Sequence, residues 1–534
     1  MTAGKSVPVP EAGAVRQISD LVDHFAEHAP DSEAMILGAR RISYRALQER
    51  VDSTARALIA AGVRKGDRVA TLSTPHPDYF ITFLATSSIG AIWLGLNPRY
   101  RVAELEYVVG DAEPCLLFAR TEIDGRDYAN EIAAMCKAAP ELKSLVLMDD
   151  AGSTRNGEAL EAFLRHGDAV SESTLRKARA ACGGRDPCLL VYTSGSTGRP
   201  KGALLHHEGI VRFSLAQNRA WPISPHRFLN YFPVNHVGCV IDVSCPTLAA
   251  GGCIVFLEQF EPEASLELMQ NEGITAWASV PSVFSMQLAL PSFDDFDLSA
   301  VQLVIWEGAA MPEEAIRRLA RQFPRLASNY GMTETTSAIT IVEPTNDLEV
   351  LANSVGRPFE GVEIRLTDAE GRIVAQGETG EVQCRSPYNM LGYWRRPEET
   401  AAAFTDDGFF RTGDLAMQRP DGRYRIVGRL KEMFKSGGYN VYPREVETAI
   451  EAHPAVEMAA VVSRPDPLWQ EVGVAYVVLN GKATIGQLDN HCRERLAAYK
   501  VPKQFIICPE LPLLPIGKVD KVALERRAQE TGPN

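Results

Sequence analysis

The chain reads as an α/β protein with a large N-terminal domain of mixed, largely parallel sheets plus a β region, and a small α+β domain at the C-terminus. Three observations predict this. Its 534 residues are more than one ordinary core organises. Up to about residue 355, short apolar runs alternate with segments of helical period, as in parallel sheets covered by helices. Beyond that point the texture turns to short strands between glycine-rich turns, and near Arg429-Leu430-Lys431 it shifts again.

Residues 1–16, rich in Ala, Gly, Pro and Val, show no period and read as a loosely held arm. From Tyr44 to Ala61, Leu47, Val51, Ala55 and Leu58 recur three or four apart, which makes one helix face, and Gly62 ends it. Arg68 to Leu72 follows as a strand, Tyr79 to Ile89 as a helix, and Ala91 to Leu96 as extended chain. Leu145 to Met148 and Leu189 to Thr193 are apolar runs bounded by turn residues. Val362 to Leu366, Gly380 to Cys384 and Tyr424 to Val427 predict the more antiparallel β region. The last part predicts a helix at Pro443 to Ala452 with Pro in its first turn, strands at Met458 to Val462 and Val472 to Leu479, and a helix at Ile485 to Ala498. Boundaries fall at 17–430 for the large domain and 431–534 for the small one.

With 45% hydrophobic and 23% charged residues the composition is that of an ordinary globular protein. A net charge of -13 with no basic block argues against nucleic acid or an anionic membrane as partner. Any polyanionic substrate therefore needs a local cradle. The ten cysteines form no Cys-x-x-Cys pair and no Cys/His cluster at metal-ligand spacing, which argues against zinc. There is no basic stretch followed by an apolar core at the N-terminus and no transmembrane segment of about 18 apolar residues, so a cytoplasmic location is expected.

That cradle has a candidate in Thr193-Ser194-Gly195-Ser196-Thr197-Gly198-Arg199-Pro200-Lys201-Gly202, directly after an apolar run. Glycines let backbone N–H groups turn toward an anion, the hydroxyls of Thr193, Ser194, Ser196 and Thr197 add donors, and Lys201 supplies a point charge. It is not a Walker loop, because Gly-x-x-x-x-Gly-Lys-Ser/Thr is missing. Composition alone favours a flexible Ser/Gly surface loop, and the strand directly before it favours an anion nest.

With Tyr192 before it, this string resembles the signature loop of the adenylate-forming superfamily, which includes acyl-CoA synthetases. Further motifs follow in the family's order: Pro233 to Gly238 containing His236, Asn329 to Thr335, Gly408 to Leu415 containing Asp414, Gly428 to Lys431, Lys435 to Val441, and Pro515 to Asp520 containing Lys518. The resemblance implies a ligase that joins a carboxylic acid to ATP as acyl-AMP, releases pyrophosphate, and passes the acyl group to coenzyme A. It implies ATP, Mg²⁺ and coenzyme A as cofactors and co-substrates, and a mobile C-terminal domain. By the same resemblance the loop from Thr193 to Lys201, with Ser194, Gly195, Ser196, Thr197 and Gly198, embraces the phosphates, and Glu334 with Thr193 holds Mg²⁺. Gly308, Ala309, Asn329, Tyr330, Gly331, Met332 and Thr333 line the adenine pocket. Asp414 and Arg429 take the ribose, and Lys518 bridges the attacking carboxylate and the α-phosphate. Lys431 matches the hinge, and Gly438, with Lys435, Gly437 and Tyr439, the path of the CoA arm. His236 corresponds to a gate between acyl and AMP sites.

The acyl pocket is expected around His236, Gly238, Val280 and Ala310, with Cys239 to Val243, Val280 to Phe284 and Ser337 to Thr340 as lining. These segments are mostly small or apolar, which suits an aliphatic or simple aromatic acid; Asp242 is their one partner for an ammonium. Two departures fall here: Glu307-Gly308-Ala309-Ala310-Met311 stands where many relatives have Gly-Gly-Ala-Pro-Leu, and Asn235 precedes His236 where an aromatic is common. Competing readings are an acyl-AMP ligase serving a carrier protein, a luciferase-like oxygenase, and a nucleotide-binding scaffold without activity. The last is opposed by the presence of Lys201, Glu334, Asp414 and Lys518, and the first by the lack of a fused carrier domain after Lys518. The sequence sets no oligomeric state; a homodimer stays open.

Overall fold

In the computed structural model, the described residues are 9–10, 12–149, 157–193, 200–514 and 518–530. Among them two large sheets dominate. A nine-stranded sheet has Leu326–Gly331, Leu303–Trp306, Ala276–Ser279, Arg227–Asn230, Cys253–Phe256 and Glu33–Leu37 running parallel through its middle, with antiparallel strands at both edges. An eight-stranded sheet is parallel from Pro187–Thr193 through Ile92–Leu96, Arg68–Leu72 and Leu116–Ala119 to Ser144–Leu147.

The helix Pro77–Ser88 touches both sheets and is buried along its whole length. Its sequence explains that placement: Tyr79, Phe80, Ile81, Phe83 and Leu84 spread round the helix, and the buried Thr82 and Ser88 hydroxyls donate back to the Tyr79 and Ala85 carbonyls. Pro77 sits in its first turn, and His76 Nδ1 accepts the Asp78 N–H at 3.1 Å to close the N-terminus. The helix Tyr44–Ala60, by contrast, buries Tyr44, Leu47, Val51, Ala55 and Leu58 on one face, the stripe that the sequence shows.

The expected antiparallel region is a four-stranded sheet of Glu363–Thr367, Thr379–Arg385, Phe410–Gln418 and Tyr424–Arg429. After residues 430–433 the chain builds a five-stranded sheet from Phe434–Ser436, Tyr439–Val441, Val456–Asp466, Gln470–Leu479 and Gln504–Ile507, with separate apolar clusters around Val446, Val461 and Leu488 and around Val462, Val474 and Leu524. No helix among the described residues is long and apolar enough to cross a membrane.

Two expectations change. Val15 is buried and the Arg16 carbonyl accepts the Gly184 N–H at 3.0 Å, so the expected arm is already packed down at Val15. The helix expected at 485–498 stops at Arg493. Beyond it, Tyr499 stacks on Tyr439 with ring centroids 4.7 Å apart and Lys500 Nζ reaches the Glu445 carboxylate at 2.6 Å. Those tertiary contacts draw the chain off the helix axis, which periodicity cannot register.

Candidate active site

The phosphate-loop candidate joins two antiparallel strands, Pro187–Thr193 and Lys201–His206, with Thr193 opposite Lys201. Ser194, Gly195, Ser196, Thr197 and Gly198 lie outside the described residues. The first end of the loop meets Glu334 directly and the second lies against Tyr393, which bonds the same carboxylate. Thr193 Oγ1 donates to Glu334 Oε1 at 3.4 Å, and Tyr393 donates its hydroxyl to the same oxygen at 2.9 Å, while Lys201 Nζ lies 5.3 Å from the centre of the Tyr393 ring. Burial and the neighbouring carboxylate keep the Tyr393 hydroxyl protonated. Sequence reasoning missed Tyr393: it is brought in by the short strand Gly392–Tyr393 pairing with Lys201–His206, and no local motif marks it.

The strand Leu326–Gly331 carries Asn329 and Tyr330 to the same region and ends at Gly331, where a β-carbon would lie 1.9 Å from the Ser337 carbonyl. Only glycine fits that approach. Met332 N–H then bonds the Ser337 carbonyl at 3.2 Å, and a single 3-10 turn holds Thr333 and Glu334. Tyr330 donates its hydroxyl to Asp414 Oδ2 at 2.8 Å, and Arg429 Nε donates to Asp414 Oδ1 at 3.0 Å. Asp414 and Arg429 face each other across antiparallel strands, so the register of the sheet sets this pair. Burial pushes the Asp414 carboxyl up, and Arg429 and Tyr330 pull the other way.

Lys518 arrives from the opposite side, near the C-terminus. A short bridge holds its turn, with the Leu514 N–H on the Lys518 carbonyl at 2.7 Å and Leu513 opposite Val519; Pro515 to Gly517 lie outside the described residues. A β-carbon at Gly308 would sit 3.2 Å from Lys518 Cε and 3.7 Å from Val280 Cγ1. With φ of +80° Gly308 also has the backbone that glycine favours. Burial and the charge of Arg429 push the Lys518 ammonium down, against Glu307, Asp414 and Glu334, so Lys518 and these three carboxyl groups share one electrostatic neighbourhood. Ala309 and Ala310, next to Gly308, are exposed.

His236 Nδ1 accepts the Gly238 N–H at 3.1 Å, and burial, helped by Lys518, pushes the ring down to about 4. It is therefore a neutral ring at neutral pH. Asn235 donates to the Tyr100 hydroxyl at 2.9 Å. Of the lining segments, Gly238–Ser244 forms a buried π-helical turn, Pro281–Leu288 a helix, and Ala338–Ile341 a strand. Asp242 and Ser337 from two of these segments hydrogen-bond to each other, the hydroxyl donating. Glu307 Oε2 accepts Asn329 Nδ2 at 3.4 Å. Burial pushes the Glu307 carboxyl up to about 7, while the Asn329 amide and the Lys518 charge oppose the rise.

Folding therefore holds on Glu307 a proton that the unfolded chain sheds near 4.5. The stability this residue contributes is present below that pH and is lost as pH rises through 7. Glu307→Gln should then unfold like the parent at pH 4.5 and resist urea better at pH 8, by about 3 kcal/mol. Equal midpoints at both pH values would contradict this.

Lys431 lies in a turn in which the Glu432 and Met433 N–H groups both meet the Arg429 carbonyl at 3.1 Å. Next to it, Glu432 accepts from Lys521 Nζ at 2.7 Å, and Lys521 also reaches Glu447 at 2.8 Å. The residues of the expected CoA path are gathered elsewhere. Lys435, Gly437, Gly438 and Tyr439 are exposed or at the edge of the small sheet, with Tyr439 on Tyr499 and Gly437 against the Trp469 ring. Open space surrounds Gly438. The two-residue hairpin from Ser436 to Tyr439, with φ of +58° at Gly437 and +85° at Gly438, favours glycine at both positions.

The profile described as AMP-binding enzyme matches residues 22–394, and that described as AMP-binding enzyme C-terminal domain matches residues 445–518. A feruloyl-CoA synthase from an Amycolatopsis species is 35% identical over 508 residues, 94% of this chain and 97% of that one. An indoleacetate–CoA ligase from Aromatoleum aromaticum is 34% identical over 514 residues, 95% and 97% of the two chains. The crystal structure of ATP-bound MatB from Rhodopseudomonas palustris, 30% identical, superposes with a TM-score of 0.84 over 95% of this chain and 98% of its own. Ordered motifs, convergent geometry and matches along nearly the whole chain agree: it belongs to the AMP-binding enzymes of the adenylate-forming superfamily, in their acyl-CoA synthetase type, ligases that use ATP to join an acid to the thiol of coenzyme A.

Proposed function

We propose that this chain activates an aromatic or aliphatic carboxylic acid in two steps on one nucleotide. In the first, a carboxylate oxygen attacks the α-phosphorus of ATP, the bond to the β-phosphate oxygen breaks, and pyrophosphate leaves. In the second, the thiol sulfur of coenzyme A attacks the acyl carbonyl, and AMP leaves with the oxygen that joined it to the acyl group. The observation that carries the reading is the approach of Lys518, from the far end of the chain, to Gly308 among Glu307, Asp414 and Glu334.

Two anions must meet in the first step, so positive charge has to stand ready between them. A compact ammonium on a flexible stem serves that purpose, and the Lys518 position beside Gly308 supports it. Asp414, fixed by Tyr330 and Arg429, offers a carboxylate to the ribose hydroxyls, and Lys201 with the loop hydroxyls neutralises phosphate. The residues fit Mg²⁺: Glu334 and Thr193 present hard oxygen donors side by side, the type of sparse set that leaves other positions for phosphate and water, and the ion would supply charge neutralisation there. His236, neutral and partly buried, separates acyl and nucleotide sides without adding charge. For the second step Lys518 withdraws as the small domain, residues 431–534, turns about Lys431 and brings Gly438 toward the thiol's path. Ten free thiols support a reducing, cytoplasmic setting.

Because Tyr330 and Arg429 already orient the Asp414 carboxylate, Asp414→Ala should weaken ATP binding by about 1–3 kcal/mol, five- to 150-fold in Kd by titration calorimetry. Unchanged affinity would place the ribose elsewhere. The decisive assay is pyrophosphate release over fatty, branched, alicyclic and aromatic acids, with and without coenzyme A. Acid-dependent release with thioester formed only when coenzyme A is added is the expected result; a panel with no release at all sinks the reading.

A further inference from the structure

Glu307 and Asp242 are both buried, at 9% and 7% exposure, and neither has a Lys, Arg or His within salt-bridge distance among the described residues. Buried acids without a cation are costly unless hydrogen bonds answer them. The bonds found answer only half of each carboxyl group. Asp242 Oδ1 accepts from the Ser337 hydroxyl, and Glu307 Oε2 from the Asn329 amide. Among the described residues, Asp242 Oδ2 and Glu307 Oε1 have no donor.

A third acceptor is in the same condition. Gln217 spends its Nε2 on the Asp242 backbone carbonyl at 3.0 Å, and its buried Oε1 has no partner. Open acceptors thus gather in one region, beside the Lys518 ammonium. The open oxygen of Glu307 faces the acyl side: a β-carbon at Gly238 would lie 3.5 Å from Glu307 Oε1 and 3.1 Å from His236 Nδ1. Glycine at 238 and at 308 leaves the space in front of both His236 and Lys518 unfilled. Asp242 stands on the same π-helical turn as Gly238.

We propose that the free carboxyl oxygens of Glu307 and Asp242 form a polar end to the acyl pocket that selects acids carrying a neutral hydrogen-bond donor, a hydroxyl or an N–H, on the acyl group. This rests on the adenylation reading given above. A cationic amine fits less well, since the Lys518 ammonium already occupies the neighbourhood of Glu307. Burial raises both carboxyl groups, Glu307 to about 7, so the selection is read at pH 8, where the open Glu307 oxygen carries no proton and accepts. A site built to accept a hydrogen bond discriminates strongly against an analogue of the same shape without the donor, because the acceptor is then shut off from water with no partner.

The test is pyrophosphate release by the full-length protein with matched acids: indoleacetate against benzothiopheneacetate, in which sulfur replaces the N–H, and para-hydroxycinnamate against para-fluorocinnamate. The expected result is that kcat/KM favours the donor-bearing acid at least about tenfold in one pair or more, and that the Glu307→Gln, Asp242→Asn double variant cuts this ratio at least fivefold while still releasing pyrophosphate. Should the double variant fail to fold by circular dichroism, each single variant is held to the same criterion. If the wild type turns over acids of the panel with every pair within tenfold, or if the ratio survives the substitutions, the polar end plays no part in selection. If no acid of any class releases pyrophosphate, the adenylation reading falls, and this inference with it.

Discussion

Lys518→Ala should cost acyl-AMP formation roughly a hundred- to ten-thousandfold in rate, as loss of a preorganised charge at a developing anion does, and leave thioester formation from supplied acyl-AMP near the parent rate. The asymmetry follows from position. In the structure Lys518 lies against Gly308 and senses Glu334 and Asp414, and on the proposed reading that is where carboxylate and phosphate meet. In the second step no such pair of anions has to be forced together. The fold should tolerate the change, because the turn that carries Lys518 is held by backbone bonds, Leu514 N–H to the Lys518 carbonyl and Asp520 N–H to the Pro512 carbonyl at 2.8 Å, and not by the side chain. Pyrophosphate release measures the first step and thioester absorbance the second. Equal loss in both would mean that Lys518 serves no single half-reaction.

The second large effect concerns Lys431→Pro, which should slow thioester formation by a hundredfold or more and acyl-AMP formation by about tenfold at most. Proline fixes φ near −65°, so a backbone that must swing about this residue loses its freedom. The Lys431 N–H has no hydrogen bond among the described residues, hence none is removed. Some loss in the first step is still expected. The ring also restricts Leu430, whose N–H bonds the Gly413 carbonyl at 2.8 Å, beside Asp414. Single-turnover measurements with and without coenzyme A separate the two steps. CoA transfer at the parent rate would place the pivot at another residue.

Much of the fold was legible because periodicity reports burial. Arg68 to Leu72, Leu189 to Thr193 and the stripe through Leu47, Val51 and Leu58 fall where the apolar pattern places them. Loss of helix after Arg493 and the packing of Val15 were not legible, since both depend on contacts from distant chain: Tyr439 and Glu445 in one case, Gly184 in the other. The site divides in the same way. Motif residues such as Glu334, Asp414 and Lys518 stand out as short strings, and the structure brings them to one place. Tyr393, which orients Glu334, sits in no such string and is supplied by strand pairing. Glu307 was visible as an oddity in sequence, but that it has an open oxygen facing Gly238 required coordinates. At Gly438 the geometry adds a second demand for glycine, a hairpin turn with positive φ, that no sequence motif announced.

The pairing of Asp414 with Arg429 ends the four-stranded sheet two residues short of Lys431. On the proposed reading, a torsion about Lys431 then acts downstream of the strand offered to the sugar, and that grip would belong wholly to the large domain. Turning the small domain need not loosen the adenylate. The intermediate can wait in place while its surroundings change from a charged partner to an open approach for sulfur, so a single bound molecule serves both reactions without being released between them.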